Sequence, residues 1–222
     1  MSGASSAGDA VGARVAPPGG FVFVVSHMRS YSTLLCHILG SHPEISGYAE
    51  AHQGYASAAD LDTLIDKVRA ATEQSTLRRY VLDKILHNHL PLAPDILARP
   101  DVSVVLLVRS AEETITSILN LNRAMGRRCE PTEALGYYLD RLRQIDAYSQ
   151  QLGRKAVLID AERLITHTAV MLEGLSQWLE LHAPLSPSYQ IFKHTGLPGH
   201  GDISRAVRTG KVVDEFAGGV VE

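Results

Sequence analysis

A polar loop with one arginine and several hydroxyl side chains follows the first apolar run of the chain. The apolar run covers residues 21–25, the loop reads SHMRSYST over residues 26–33, and leucines at helical spacing come next. A loop between a buried strand and a helix N-terminus directs backbone N–H groups and the positive end of the helix dipole at one point, which favours an anion. Arg29 adds a cation, and Ser30, Ser32 and Thr33 add hydroxyl donors. The same residues also fit a plain helix cap with a solvated Arg29, and no Walker A motif is present.

A second arginine stands at the end of another apolar run. Arg109 follows residues 102–108, and Ser117 lies eight positions further along a predicted helix. An arginine at a strand end and a hydroxyl on the following helix can hold a phosphate, with the guanidinium acting as a bidentate fork. Taken alone, Arg109 fits a surface salt bridge better than a phosphate site.

Strands and helices must alternate to bring these two places together. Apolar runs predict strands at residues 21–25, 80–83, 102–108 and 156–159. Helical patterns cover residues 34–39 before Gly40, 58–73, a segment after a Ser110–Glu113 capping box, 132–152 before Gly153, and 169–181. Unbroken apolar strands between helices predict a parallel sheet that is covered on both faces, so ligands should bind beyond the carboxyl ends of the strands.

Composition narrows the class of protein. The 222 residues carry a formal net charge of −3, which excludes a basic nucleic-acid-coating protein and an acidic disordered tail. We expect one domain at residues 20–222 after a disordered lead-in at residues 1–19, with no signal peptide or transmembrane helix and a cytoplasmic location. Cys36 and Cys129 are expected to be free thiols, and the histidine spacing matches no zinc pattern.

Together, these segments resemble the sulfotransferases that use 3′-phosphoadenosine 5′-phosphosulfate (PAPS), particularly their bacterial and carbohydrate-type branch. That family has a first loop of the form R-S-x-S-T-L-L, and an arginine after a buried strand with a serine eight positions later. Residues 41–50, SHPEISGYAE, are similar to the family's SHPEI…GYGE stretch, and Asp83-Lys84 is similar to its DK strand end. The resemblance implies a three-layer α/β/α fold with a central parallel sheet, related to the P-loop NTPases.

The resemblance also implies roles for individual residues. The 5′-phosphosulfate loop would comprise Arg29, Ser30, Tyr31, Ser32, Thr33 and Leu34, and the 3′-phosphate site would comprise Arg109 and Ser117. Arg29 would stabilise charge on the moving sulfuryl group and on the leaving phosphate, with Lys84 as a second candidate. The co-substrate would be PAPS, the product 3′-phosphoadenosine 5′-phosphate (PAP), and no metal is implied.

The catalytic base is expected to be Glu50, which matches the position of a glutamate in some bacterial members. His52 is the competitor, because an imidazole with an ordinary pKa of about 6.5 suits proton abstraction near neutrality. The chain departs from the family at Tyr31, where glycine is common, and at Ser110-Ala111, where Asp-Pro is common. Residues 193–202 look like the segment that closes over the nucleotide, although a flexible tail explains their glycines equally well.

Two other functions compete with sulfuryl transfer. A small-molecule kinase would need ATP, Mg²⁺ and a carboxylate after a strand, for which Asp160 is the nearest fit. A non-catalytic nucleotide-binding module would keep the pocket and transfer nothing. The acceptor would be a small molecule, sugar or lipid with a hydroxyl or amine, in a pocket built by residues 53–75 and 121–138. Tyr137, Tyr138 and Tyr148 are expected to pack, and the oligomeric state is open.

Overall fold

The computed structural model describes residues 19–74, 76–197 and 201–213, so the predicted lead-in lies outside the described residues except for Gly19. The strands are β1 (Gly20–Ser26), β2 (Ile45–Ser46), β3 (Tyr80–Ile85), β4 (Val102–Val108) and β5 (Ala156–Asp160). The helices are α1 (Ser32–Ser41), α2 (Ala58–Thr72), α3 (Pro94–Ala98), α4 (Ala111–Ala124), α5 (Pro131–Leu152), α6 (Ala161–Thr166) and α7 (Thr168–Trp178). Short 3₁₀ turns lie at Gly153–Lys155 and Ala206–Thr209.

The five strands form one sheet in the order β2-β3-β1-β4-β5, and the strand pairings are parallel. β1 lies at the centre, with Phe23 opposite Asp83 of β3 on one side and Val104 of β4 on the other. All seven residues of β1 are buried. The predicted parallel sheet is therefore confirmed, and the carboxyl ends of β1, β3 and β4 meet at one edge.

Alternate residues of β1 build two separate cores. Val22 and Val24 pack with the apolar residues of α1, α6 and α7 on one face of the sheet. Phe21, Phe23 and Val25 pack with those of α2, α3 and α5 on the other face. Successive side chains of a strand point to opposite faces, so a strand that is apolar throughout requires cover on both sides. The three-layer α/β/α prediction is confirmed.

The predicted capping box before α4 does not form. Ser110 is the N-cap residue of α4, but its side chain makes no capping hydrogen bond. The Glu113 carboxylate instead accepts a hydrogen bond from Arg109 Nη2 at 2.9 Å. A charge-assisted bond to a guanidinium is stronger than one to a neutral amide, so the arginine takes the carboxylate that the pattern assigned to the helix.

Two further expectations need correction. Gly40 does not end α1, which continues to Ser41. Glycine is needed there because a Cβ would stand 2.2 Å from the Gly47 carbonyl oxygen. The strand predicted at residues 156–159 forms as β5, but it is the edge of the sheet, and Leu158 is 67% exposed. β2, α3 and α6 have two, five and six residues, too few to produce a periodic pattern that the sequence could reveal.

Candidate active site

The loop between β1 and α1 has an unusual backbone at two residues. Arg29 and Tyr31 adopt positive φ angles of 65° and 61°. Glycine adopts this conformation most readily, and glycine is common at the position of Tyr31 in the family that the sequence resembles. The backbone of the loop therefore has the conformation that a glycine there would favour. The Tyr31 side chain does not cap α1, and its ring instead packs under Arg109, with 4.3 Å between the guanidinium carbon and the ring centroid.

The hydroxyl groups of this loop divide into two kinds. Ser30 Oγ is fully buried, donates to the His27 carbonyl at 2.8 Å and lies 2.5 Å from Ser26 Oγ. Ser30 therefore holds the loop together rather than facing outward. Thr33 Oγ1, in the first turn of α1, instead accepts from Lys84 Nζ at 3.4 Å and from the Asp202 amide at 3.1 Å. Ser32 is also buried in that turn, and Leu34 belongs to the core behind it.

The two predicted anion-binding elements meet through Arg29. Its Nε donates to Ser117 Oγ at 2.9 Å, and its backbone carbonyl accepts from Arg109 Nη1 at 3.2 Å. Ser117 and Arg109 are each 3% exposed. Arg109 also has carboxylates beside it, Glu113 at 2.9 Å and Glu162 at 3.5 Å. The arrangement places two guanidinium groups and a hydroxyl at the ends of β1 and β4.

A buried histidine joins the same two strand ends, and the sequence carried no signal for its role. His27 Nδ1 contacts the Met28 carbonyl at 2.9 Å, and Nε2 accepts from the Arg109 backbone N–H at 3.0 Å. An acceptor at Nε2 requires the neutral ring with its proton on Nδ1. Burial, with the nearby Arg141 and Arg109 charges, lowers the pKa of His27 to about 4, so a neutral ring joins the two predicted anion-binding elements.

Helix α5 supplies three more side chains: Tyr137 and Tyr138, which were expected only to pack, and Arg141, which no sequence pattern revealed. The Tyr137 hydroxyl donates to the Leu86 carbonyl at 3.0 Å and accepts from the Met28 amide at 2.8 Å. The Tyr138 hydroxyl donates to the Arg109 carbonyl at 2.8 Å. Arg141, fully buried, donates to the Ser26 and Ile85 carbonyls at 2.7 Å each. The two tyrosines do pack, as expected, and the polar atoms of all three residues also tie together the carboxyl ends of β1, β3 and β4.

Glu50 and His52 lie together with Lys84, which stands near the carboxyl end of β3. Glu50 Oε2 is 3.9 Å from Lys84 Nζ, and Oε1 is 3.6 Å from His52 Nδ1. The side chains of Glu50 and Lys84 are 7% and 1% exposed, whereas that of His52 is 60% exposed. Among the described residues, Glu50 Oε1 has no hydrogen-bond partner. Of the two candidate bases, Glu50 is therefore the buried one, with an oxygen that makes no hydrogen bond to the described part of the chain, and His52 is the one exposed to solvent.

The segment near the C-terminus lies over the same loop. A Cβ on Gly201 would stand 2.6 Å from Thr33 Oγ1, and the Asp202 carboxylate lies 3.3 Å from Arg29 Nη1. Residues 198–200 of the predicted closing segment lie outside the described residues, and Lys193 pairs with Glu73 at 2.8 Å on the surface. The described part of this segment that reaches the loop is therefore Gly201-Asp202.

Asp160, the nearest fit to a kinase carboxylate, caps α6 by accepting from the Glu162 amide at 3.0 Å. Within residues 19–74, 76–197 and 201–213, no three His, Cys, Asp or Glu side chains form a group able to hold a metal ion. Over the same ranges, no helix has the length and hydropathy that a membrane span requires.

A cavity of about 210 Å³ lies apart from this cluster, near β2. Its walls include residues 71–74, which fall in the first range expected to build an acceptor pocket, and none from residues 121–138. Tyr48 and Phe192, whose rings stack at 4.0 Å, form its aromatic wall. None of Arg29, Glu50, Lys84 or Arg109 lines it, so the cavity is not part of the charged cluster.

The fold and the cluster define a parallel α/β protein with cationic side chains at the carboxyl edge of its sheet. No protein-family model matches the sequence, and no curated protein sequence matches it. Solved structures do match. The sulfotransferase domain from the curacin biosynthetic pathway superposes with a TM-score of 0.62 at 18% identity, over 90% of this chain and 89% of that chain.

The sulfotransferase domain of the Synechococcus PCC 7002 olefin synthase superposes with a TM-score of 0.59 at 18% identity, over 90% of this chain and 86% of that one. Mouse sulfotransferase SULT7A1, complexed with PAP, gives a TM-score of 0.52 at 11% identity, over 75% of this chain and 60% of that one. The chain therefore has the sulfotransferase fold.

Proposed function

We propose that the protein is a sulfotransferase that moves a sulfuryl group from PAPS to a hydroxyl or amine of a small-molecule, sugar or lipid acceptor. One observation supports this above the others: the predicted nucleotide and base residues form one continuous cluster. Ser117 contacts Arg29, Arg29 contacts Asp202, and Asp202 contacts Thr33, which Lys84 links to Glu50. Such a cluster on the sulfotransferase fold can bind a nucleotide with two anionic ends and carry a base beside one of them.

The residues fit a doubly anionic nucleotide. Arg109, with Ser117, would hold the 3′-phosphate, and Arg109 Nε has no hydrogen-bond partner among the described residues. Arg29, Thr33 and the first-turn amides of α1 would hold the 5′-phosphosulfate, since the N-cap side chain leaves those amides uncapped. The Asp202 carboxylate lies 3.3 Å from Arg29 Nη1, and this position of a negative charge supports the assignment of Arg29 to the phosphosulfate. PAP in the mouse SULT7A1 structure is consistent with this choice of nucleotide.

In the proposed reaction, the oxygen of the acceptor hydroxyl forms a bond to sulfur, and Glu50 accepts the proton of that hydroxyl. The bond between sulfur and the bridging oxygen breaks, and its electron pair stays on the 5′-phosphate of PAP. Lys84 and Arg29 stabilise the charge on the sulfuryl oxygens and on the leaving phosphate. Lys84 Nζ lies next to Glu50 and Thr33, which supports a role for Lys84 beside the sulfuryl group rather than beside the 3′-phosphate.

Thermal stabilisation by nucleotides tests the cofactor. PAP at about a hundred times its dissociation constant should stabilise the chain by about 2.7 kcal/mol, a rise in melting temperature of about 5 to 11 °C. ATP with Mg²⁺ should give a smaller shift at the same concentration. A larger shift with ATP and Mg²⁺ would favour a kinase. Selective binding of PAP without transfer to any acceptor would favour a non-catalytic module.

Glu50→Gln tests the base. Because general base catalysis contributes about 10²- to 10⁴-fold, kcat should fall by that factor while the shift with PAP stays unchanged. His52→Asn should retain activity, since the His52 ring is largely solvated. Glu180→Gln is a matched control on a side chain that is 84% exposed. Full activity in Glu50→Gln, or loss of activity only in His52→Asn, would assign the base to another residue.

Arg109→Ala tests the 3′-phosphate site. A hydrogen bond to a charged group is worth about 1.5 to 3 kcal/mol, so PAP should bind about 10- to 150-fold more weakly. Adenosine 5′-phosphate, which lacks the 3′-phosphate, should bind the variant and the parent protein equally. Equal losses for both nucleotides would show that Arg109 supports the fold rather than the 3′-phosphate.

A further inference from the structure

A buried carboxylate within β3 holds the loop that carries Glu50. Asp83 is 1% exposed, and its Oδ1 accepts from the Ala51 backbone N–H at 2.7 Å. Its Oδ2 accepts from the Tyr55 hydroxyl at 2.5 Å. The Ala51 N–H belongs to the peptide group that links Glu50 to Ala51, so this hydrogen bond constrains the backbone next to the Glu50 Cα.

Other hydrogen bonds and contacts hold the same two residues of the loop, Ala51 and Tyr55. The Ala51 carbonyl accepts from Lys67 Nζ at 2.8 Å, so this residue is held on both sides of its backbone. Tyr55 exchanges backbone hydrogen bonds with Pro91 and Ala93, at 2.8 Å each. Its ring packs on Phe23 of β1 with 4.8 Å between centroids. Between these anchors, residues 52–54 have no comparable buried bond to the sheet among the described residues, and His52 has a positive φ of 50°.

We propose that Asp83, in its ionised form, is a positioning residue for the Glu50 base. The inference rests on the proposed function, because it assigns Glu50 as the base. Both partners of Asp83 are donors, an N–H and an O–H, and an ionised carboxylate can accept from both. A proton on Oδ1 would displace the Ala51 N–H, and a proton on Oδ2 would turn the carboxyl into a donor to the Tyr55 oxygen and leave Oδ1 as a neutral, weaker acceptor for Ala51. Protonation of Asp83 would therefore weaken or break the bond to Ala51 that anchors the Glu50 loop.

The environment of Asp83 raises its pKa, so its protonation occurs closer to neutral pH. Burial raises the pKa of Asp83 to about 6, against the hydrogen bonds from Tyr55 and from the Ala51 and Lys84 amides, which lower it. The titratable groups that act on Asp83 are Glu50 and Tyr55 from the loop. Lys84 contributes its backbone amide, because its side chain points to the opposite face of the sheet, where Cys36 of α1 also lies. The Glu50 charge raises the pKa of Asp83 further. The loop should therefore loosen as the pH falls through about 6.

The test compares pH profiles of kcat from pH 5 to 8.5 in three proteins. The parent enzyme should lose activity on the acid side with an apparent pKa near 6. Asp83→Asn should lower kcat by about 10- to 100-fold and remove that acid limb, because misplacing a catalytic group by about 1 Å costs this much. Tyr55→Phe should move the limb to higher pH, since it removes a bond that lowers the pKa of Asp83. KM for PAPS should change in neither variant.

A purely structural role would lower kcat without moving the acid limb, so unchanged limbs in both variants would overturn the proposal. Asp66→Asn, on a side chain that is 79% exposed, is the matched control and should leave the profile unchanged. An NMR titration of the Ala51 amide gives a readout that does not depend on turnover. Its signal should titrate near pH 6 in the parent protein and not in Asp83→Asn. A titrating Ala51 in a protein that transfers no sulfuryl group would refute the proposed function and support the Asp83 anchor.

Discussion

Asp202→Asn removes a carboxylate that the chain itself places against the proposed phosphosulfate loop. Asp202 Oδ1 lies 3.3 Å from Arg29 Nη1, and the two side chains are 17% and 15% exposed. A nucleotide phosphate that binds Arg29 must displace this carboxylate or share the guanidinium with a second negative charge. Asparagine keeps the size of the side chain and removes the charge. The variant should therefore bind PAP more tightly than the parent protein.

The magnitude follows from the exposure of the pair. An ion pair on the surface is worth about 0 to 1 kcal/mol, and a hydrogen bond to a charged group in a shielded place about 1.5 kcal/mol or more. The Arg29–Asp202 pair is largely shielded from solvent, but its N···O distance of 3.3 Å is long for a charged hydrogen bond. We therefore take its contribution as about 0.5 to 1.5 kcal/mol. Because about 1.4 kcal/mol equals a tenfold change in affinity, PAP should bind about 2- to 12-fold more tightly.

Isothermal titration with PAP at two ionic strengths measures this effect. The gain in Asp202→Asn should shrink at high salt, because salt screens the charge that is removed. Ser204→Ala is the control: Ser204 donates to Asp202 Oδ2 at 2.9 Å, and its replacement keeps the carboxylate. It should bind PAP as the parent protein does. Equal or weaker binding of PAP by Asp202→Asn would refute the idea that Asp202 and the nucleotide compete for Arg29.

Two further predictions concern stability. Gly40→Ala should lower the melting temperature by about 2 to 10 °C, because its Cβ would meet the Gly47 carbonyl oxygen, whereas Gly136→Ala, with nothing within 4 Å, should not. An unchanged melting temperature in Gly40→Ala would contradict this close approach. His27 has a folded-state pKa of about 4, below its unfolded value of about 6.5, so its contribution to stability is lost as the pH falls between these values. Urea unfolding at pH 7 and 4.5 should show an acid loss about 2 kcal/mol smaller in His27→Asn, and equal losses would contradict it.

The sheet was predictable because its main strands are short, apolar and separated by helical patterns. β1 and β4 are buried through most of their length, and such runs have few alternatives to a central parallel strand. The edge strands were harder to assess. β5 has an apolar sequence like that of a buried strand, but its place at the sheet edge leaves Leu158 exposed. Position in the strand order is a property of the whole fold and leaves little trace in a local pattern.

The site was predictable only where a residue type marks its own chemistry. Arg29 and Arg109 follow strands, and a cation at a strand end is visible in a sequence. Arg141 and His27 were not visible, because both are buried polar groups whose partners are backbone carbonyls and amides far along the chain. An arginine within a helix is common in any sequence, and only the packed structure shows which backbone carbonyls its guanidinium reaches.

The sequence by itself determined that strands and helices alternate, that the strands are parallel, and that Arg29, Lys84 and Arg109 come to the same edge of the sheet. These follow from apolar periodicity and from the rule that parallel strands end together. Only the tertiary structure decided how those charges are shared: Arg29 with Ser117 and Asp202, Lys84 with Glu50 and Thr33, Arg109 with Glu113. Charge partners are chosen by distance and burial, and both arise only when elements distant in sequence pack together.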